Sequence, residues 1–420
     1  MKILILTQYF QPEPIFKGLP LARALQERGH DVQVLTGFPN YPGGKLYAGY
    51  RQSLWQRQTL DGIEVIRVPL FPSHDSSGLM RILNFLSFGL SSCVMGPWLV
   101  RRPDVIYVYN LITLASTWRC LRLLHGCKVV VDVQDLWPES VASSGMMKSP
   151  LAMRVLDWWC KRAYLSADKM IVLSPGFKKN LTSRNIDATQ IDVIYNWCDE
   201  SAIEIQEPDA VSAAGLGFSG KFNIVFAGTM GALQALDCII DASKRLEVEM
   251  PDVLFTFVGG GIEVERLKHR AAALQNVQFL PKKPISEIGA VLSNADALLV
   301  HLKKDPIFDI TVPSKIQAYM YAGKPVLCGV AGDASDLVRR SGCGVSFEPE
   351  NVDSFLQAIR TLRKMSPQQL TGMGNAGKQY YEEHLSFRSG IDQIESVLES
   401  LVDEQYSNRA MATVERDIHL

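Results

Sequence analysis

Short apolar runs alternate with helical patterns along nearly the whole chain. KILILT (2–7) reads as a buried strand, LPLARALQERG (19–29) as a helix closed by Gly29, and DVQVLTG (31–37) as a second strand. DVIYVYN (104–110), KVVVDVQD (128–135) and KMIVLS (169–174) repeat the strand pattern. Apolar strands separated by helices predict a parallel sheet with crossover helices, the doubly wound arrangement.

The pattern pauses at EIQEPDAVSAAGLGFSG (204–220), whose small and polar residues predict a linker. It then restarts: NIVFAG, VLFTFVGG, NVQFL and ALLVHL read as strands, with helices over LQALDCIIDASKRLEVE, EVERLKHRAAAL and ISEIGAVLSNA between them. The expected fold is α/β, with a Rossmann-like domain over 1–203, a linker over 204–220 and a second Rossmann-like domain over 221–380. A C-terminal helix over 381–405 is expected to pack back on the first domain, followed by a loose tail over 406–420. Ligands of open parallel sheets bind beyond the carboxyl ends of the strands, so two such domains facing each other predict an interdomain cleft.

Composition narrows the partners. With 420 residues, 47% hydrophobic and 21% charged, the chain can fill two cores, and a formal net charge of −1 argues against a nucleic-acid partner. Eight cysteines without a C-x-x-C, and histidines without short ligand spacing, predict reduced core thiols and no metal site. The opening MKILILTQYF is too short an apolar run for a signal peptide, which predicts a cytoplasmic protein. Ile82–Val100 carries no charge and is nearly long enough to span a bilayer, but Asn84, its serines and the Gly96-Pro97 step lower its apolar density. Two readings stay open for it: a buried domain helix, or a helix with one face on the membrane surface.

Three strand ends in the second half carry candidate anion chemistry: Gly228-Thr229-Met230-Gly231, Gly259-Gly260-Gly261 and Pro313-Ser314-Lys315. One glycine cluster reports only a turn; three at successive strand ends favour a nucleotide. Ser314 reads as an N-cap, with Gln317 three residues later as in a capping box and Gly323 as a stop. Lys315 stands in the first turn of that helix, where its charge opposes the dipole and a bound phosphate would compensate it. There is no P-loop, no complete dinucleotide fingerprint, no G-x-S-x-G and no D-x-D. Charge on a leaving diphosphate then falls to backbone amides, helix dipoles and Lys315. In the first half, the Gly18 amide either approaches a phosphate or simply closes a turn, and VVVDVQDLWPES places Gln134 and Asp135 at a strand's carboxyl end.

Through YFQPE, LARALQERGHDVQVLT, DVQDLWPES, FAGTMGALQALD, FVGGG, VPSKIQAYMYAGKPVL and YYEEHLSF, the chain resembles the GT-B fold glycosyltransferases of family 4, the retaining nucleotide-sugar transferases. Within them it is similar to the bacterial subgroup that builds O-antigen, capsule and colanic acid, including transferases of N-acetyl-L-fucosamine. The resemblance implies a UDP-linked sugar donor, a polyprenyl-diphosphate-linked acceptor at the cytoplasmic membrane surface, and no cofactor or metal. It also implies front-face attack in which the leaving phosphate helps deprotonate the acceptor, so that no enzymic nucleophile is needed. The family's E-x7-E pair falls on Ile310 and Ala318, and its Arg and Lys fall on Thr229 and Gln234, so two phosphate charges are missing. Asp309 and Gln317 keep the glutamate spacing one residue earlier, and Gln134 replaces the histidine before Asp135. The resemblance therefore implies donor contacts from Gly18, Gly228, Thr229, Gln234, Gly260, Asp309, Thr311, Ser314 and Gln317, with Lys315, Gln134 and Asp135 nearest the chemistry. The same architecture serves UDP-sugar 2-epimerases, which use acids and histidines, His301 being the main candidate here, and the missing glutamates also suit a non-catalytic, membrane-associated assembly factor.

Overall fold

The computed structural model describes residues 1–73, 78–110, 112–139, 141 and 149–418. The chain divides into two compact units. One comprises Met1–Leu173, Phe177–Ile194 and Ile391–Leu420; the other comprises Ser174–Gly176 and Tyr195–Gly390.

The first unit is built on β1 (Lys2–Leu6), α1 (Leu19–Glu27), β2 (Asp31–Gly37), β3 (Gln56–Leu60), β4 (Ile63–Val68), α2 (Gly78–Leu99), β5 (Val105–Tyr109), α3 (Ala115–His125), β6 (Lys128–Val133), α4 (Pro150–Tyr164), β7 (Lys169–Val172), α5 (Pro175–Ser183) and β8 (Ile191–Val193). The sheet order is β3-β4-β2-β1-β5-β6-β7-β8. All pairs are parallel except β3 with β4, an antiparallel hairpin turned at Asp61-Gly62, where φ is 46° and 84°. The central strands are buried on both faces, as their unbroken Val and Ile runs require.

Helix α2 covers the apolar segment as one helix whose small and polar residues face inward and whose bulky apolar residues face outward. Asn84, Phe88, Gly89, Ser92 and Gly96 face inward, whereas Leu79, Leu83, Leu86, Leu90, Val94 and Trp98 are exposed. Gly89 lies so close to the Thr113 carbonyl that an added Cβ would stand 3.1 Å from it, and the Ser92 and Thr117 hydroxyls bond at 2.8 Å. Small and hydroxyl residues thus seat α2 against its neighbours and leave the bulky apolar residues outside. The wholly buried reading of this segment does not hold.

A buried charge pair joins the carboxyl ends of β5 and β6 to the β1–α1 loop. Lys17 Nζ lies 2.6 Å from Asp132 Oδ2, both side chains being inaccessible to solvent. The Tyr107 hydroxyl and the Gln134 amide also donate to Asp132.

The second unit contains α6 (Ala210–Gly215), β9 (Phe222–Ala227), α7 (Asp237–Glu249), β10 (Val253–Val258), α8 (Val264–Arg270), β11 (Val277–Leu280), α9 (Ile285–Ser293), β12 (Ala297–His301), α10 (Pro306–Asp309), α11 (Ser314–Tyr321), β13 (Val326–Gly329), α12 (Asp333–Ser341), β14 (Gly344–Ser346), α13 (Val352–Arg363) and α14 (Pro367–His384). Its sheet is parallel throughout, in the order β11-β10-β9-β12-β13-β14. The winding reverses between β9 and β12, the place where such sheets open a crevice at their carboxyl edge. Beneath it, Phe226, Phe255, Phe257, Leu299 and Phe355 belong to one buried cluster.

Within the 204–220 segment, Asp209 accepts a hydrogen bond from the Ser212 amide at 2.7 Å and starts α6. The tail expected over 406–420 is helical as far as Ile418, within α15 (Phe387–Ile418), where no glycine or proline interrupts residues 391–418. In the first unit, Arg28 pairs with Asp392 and Glu395, His30 bonds Glu395 at 2.8 Å, and Gln405 donates to the Gly126 carbonyl at 2.7 Å.

Removing one member of a buried pair strands the other in low dielectric. Asp132→Ala is expected to cost about 3–5 kcal/mol of unfolding free energy, read from urea midpoints. A combined Lys17→Met and Asp132→Leu variant should recover most of that loss; equal destabilisation in both would locate the effect in packing instead.

Candidate functional site

A cavity of about 670 Å3 opens at the carboxyl ends of β9 and β10 in the second unit. The register pairs Val258 with Ala227, so the two glycine loops leave the sheet side by side. They are stitched together by Gly228 N–H to the Val258 carbonyl at 2.8 Å and by Met230 N–H to the Gly260 carbonyl at 2.7 Å.

That close approach explains two of the glycines without a ligand. A Cβ on Gly259 would collide with the Gly228 carbonyl and one on Gly261 with the Met230 carbonyl, and both residues have φ near +140°. Gly260 differs, because a Cβ there would meet nothing within 4 Å. It faces open space in the cavity wall.

Lys315, from the first turn of α11, enters the same cavity. Its ammonium lies 3.5 Å from the centroid of the Phe226 ring, and a Cβ on Gly228 would stand 2.6 Å from Lys315 Cε. Among the described residues no acid pairs with it. Burial alone pulls its pKa down to about 7. Tyr319, one helical turn further on, fixes the end of β9: its hydroxyl accepts from the Ala227 amide at 3.1 Å. Thr229, Lys282 and Lys283 complete the polar side of the wall, and Ile203, Ile285, Ile288, Leu292 and Ala318 form an apolar one. The described lining contains three lysines and no carboxylate. Such a wall suits an anion carrying a flat apolar group.

The structure brings together Gly228, Thr229, Gly260 and Lys315, and places the other expected donor residues elsewhere. Gln234 turns back to accept from the Gly231 amide at 2.9 Å. Thr311 donates its hydroxyl to the Ile307 carbonyl at 2.7 Å, next to exposed Asp309 at the end of α10. The capping box expected at Ser314 is corrected: Pro313 occupies the N-cap, so Ser314 is already the first helical residue. Gln317 is buried within α11, 2% exposed, and does not line the cavity. Lys282 and Lys283 were not among the expected site residues, because adjacent lysines after a short strand carry no motif.

His301 is committed to the fold. Its Nδ1 lies 2.7 Å from the Gln234 carbonyl and must donate, while Nε2 accepts from the Glu350 amide at 3.1 Å. The ring stacks on Phe347, and burial lowers its pKa. With both nitrogens used by the backbone in the neutral form, it is poorly placed to shuttle protons.

In the first unit, Gly18 stands at the N-cap of α1, where the Gln11 side chain already accepts from the Leu19 amide at 2.7 Å. Gln134 donates to Asp132 and cannot carry a proton. Asp135 keeps accessible surface, yet desolvation of its carboxyl pushes the pKa above the usual carboxylate range, against a hydrogen bond from Asn110.

Comparison with known proteins follows the two units. Residues 19–197 match the Glycosyl transferase 4-like domain family, and residues 212–380 match Glycosyl transferases group 1. WcaI of Escherichia coli (strain K12), named for colanic acid biosynthesis as a glycosyl transferase, is 26% identical over 86% of this chain and 91% of its own length. WbjE of Pseudomonas aeruginosa, named as a glycosyltransferase, is 27% identical over 68% of this chain and 73% of its own. The crystal structure of Anabaena Alr3699/HepE in complex with UDP shares the fold, with a TM-score of 0.67 at 17% identity over 96% of this chain and 100% of that one.

The depressed pKa of Lys315 has a definite sign in stability. Its unfolded value is about 10.4, so between pH 7 and that value the unfolded chain holds more protons. Stability contributed by this group is therefore full above pH ~10.4 and is lost as pH falls toward 7. The difference in urea midpoint between the protein and its Lys315→Met variant should shrink as pH is raised from 7 to 10. A difference independent of pH would show that the ammonium is solvated.

Proposed function

We propose that this GT-B chain, whose halves match the 4-like and group 1 glycosyl transferase families, transfers a sugar from a nucleoside diphosphate, UDP above others, to a lipid-linked glycan in bacterial surface polysaccharide synthesis. N-acetyl-L-fucosamine or a related amino sugar is the donor sugar in this reading, and the protein works at the inner face of the cytoplasmic membrane. The observation that carries the donor side is the cavity at the ends of β9 and β10, with three lysines, no carboxylate among its described lining, and a buried ammonium awaiting a counter-charge.

The proposed transfer retains configuration. The bond from the anomeric carbon to the diphosphate oxygen breaks, the acceptor hydroxyl oxygen bonds to that carbon on the same face, and the hydroxyl proton passes to the departing diphosphate. No enzymic nucleophile takes part and no metal is required. Lys315 stabilises charge as it grows on the leaving group. A bound diphosphate also raises the lysine's pKa, so that the residue becomes fully cationic when the donor is in place. Gln134 and Asp135 serve the acceptor side, the glutamine held in orientation by Asp132. The engagement of both ring nitrogens of His301 speaks against an epimerase.

Calorimetric titration with UDP, GDP and ADP, first without metal and then with Mg²⁺, tests the donor reading. One nucleotide should bind without metal, and at pH 8 binding should take up protons through Lys315. Absence of binding by all three overturns the reading in favour of an inactive scaffold. Lys315→Ala should lower kcat roughly 10²–10³-fold, and an unchanged kcat would make the lysine structural.

A further inference from the structure

An apolar groove of about 760 Å3 lies between α2 and α4 in the first unit. Phe85, Leu86 and Leu90 line it from α2, and Val155, Trp158 and Trp159 from α4. Both helices present bulky apolar residues to solvent: Leu90 is 68% exposed and Val155 58%. A soluble surface seldom keeps so large a contiguous patch without a use for it.

The charge around the groove narrows what could fill it. Helices α2, α3 and α4 together carry Arg81, Arg119, Arg154, Lys161 and Arg162 against a single acid, Asp157, Arg122 being already paired with Asp168 at 3.2 Å, in a chain whose formal net charge is −1. Two of these cations lie on the groove's own aromatic wall, the Arg119 guanidinium over the Trp159 ring at 5.7 Å and that of Arg162 over Trp158 at 4.6 Å. A wholly apolar occupant would leave this positive rim without a role. An apolar chain that ends in a strong anion meets both features. The groove is also continuous with the acceptor side, since Trp137, two residues beyond Asp135, lines it.

Resting on the reading of a lipid-linked acceptor, we infer that this groove holds the polyisoprenoid chain of that acceptor, with its diphosphate among the α3 and α4 cations and its sugar end toward the Gln134-Asp135 loop. The reversed polarity of α2 then has a cause: its small inward face lets the helix sit close to the domain, while its outward leucines form one wall of a lipid slot.

Geranylgeranyl diphosphate, titrated into the full chain and followed by tryptophan fluorescence, tests the inference, because Trp137, Trp158 and Trp159 line the groove. A saturable response is expected, weakened at least tenfold in Leu90→Glu and in Val155→Glu. Both positions are exposed, so folding should be unaffected, and UDP binding by calorimetry should be unchanged in both variants. Equal affinity in variants and parent overturns the inference, as does an equal response to inorganic diphosphate. Capture by anionic phosphatidylglycerol vesicles, lost in the variants while the prenyl diphosphate gives no response, would make the face a bilayer-docking surface instead. Self-association abolished by the variants, again with no prenyl response, would assign it to a second copy of the chain. UDP binding without any prenyl response removes this inference alone; loss of both removes the transferase reading beneath it.

Discussion

An ammonium group inside a protein needs a counter-charge, and the two units meet that constraint in opposite ways. Lys17 has its carboxylate built in: Asp132 lies 2.6 Å away and collects two further donors, so the pair is satisfied and inert. Among the described residues Lys315 meets an aromatic face and no carboxylate, and burial leaves its proton weakly held. The first arrangement fastens a loop to a sheet. The second leaves a buried cation with no carboxylate beside it among the described residues.

The glycines around that ammonium divide along similar lines. Gly259 and Gly261 are demanded by two loops that leave adjacent strands almost in contact, and Gly228 leaves room for the Lys315 side chain. Only Gly260 keeps a space that the protein itself does not fill. A Gly-Gly-Gly string cannot announce which of its members guards a ligand and which guards a backbone, because the distinction lies in a neighbouring strand about thirty residues earlier.

Much of the fold was legible because parallel sheets write themselves as uninterrupted apolar runs, and the restart after residue 220 marks the second sheet clearly. The β3–β4 hairpin was missed although Asp61-Gly62 stands between its strands, because QRQTL lacks the apolar density used to find the others. Of the residues expected at the donor, Gly228, Thr229 and Gly260, which follow strand ends, share one cavity with Lys315 from the first turn of α11. Those inferred from spacing along a helix, Gln317 and Ser314, depended on where α11 begins, and a shift of one residue moves a side chain by about 100° around its axis. Lys282 and Lys283 owe their place to the loop after β11, which no local rule predicts.

The first unit is not continuous in the chain, for Ile391–Leu420 belongs to it. On the ribosome, therefore, the unit begun first is finished last. Until α15 emerges, Arg28 and His30 lack the acids that hold them through the whole synthesis of the second unit. A cut between the halves thus cannot yield two whole units, because the segment that completes the first lies beyond the second.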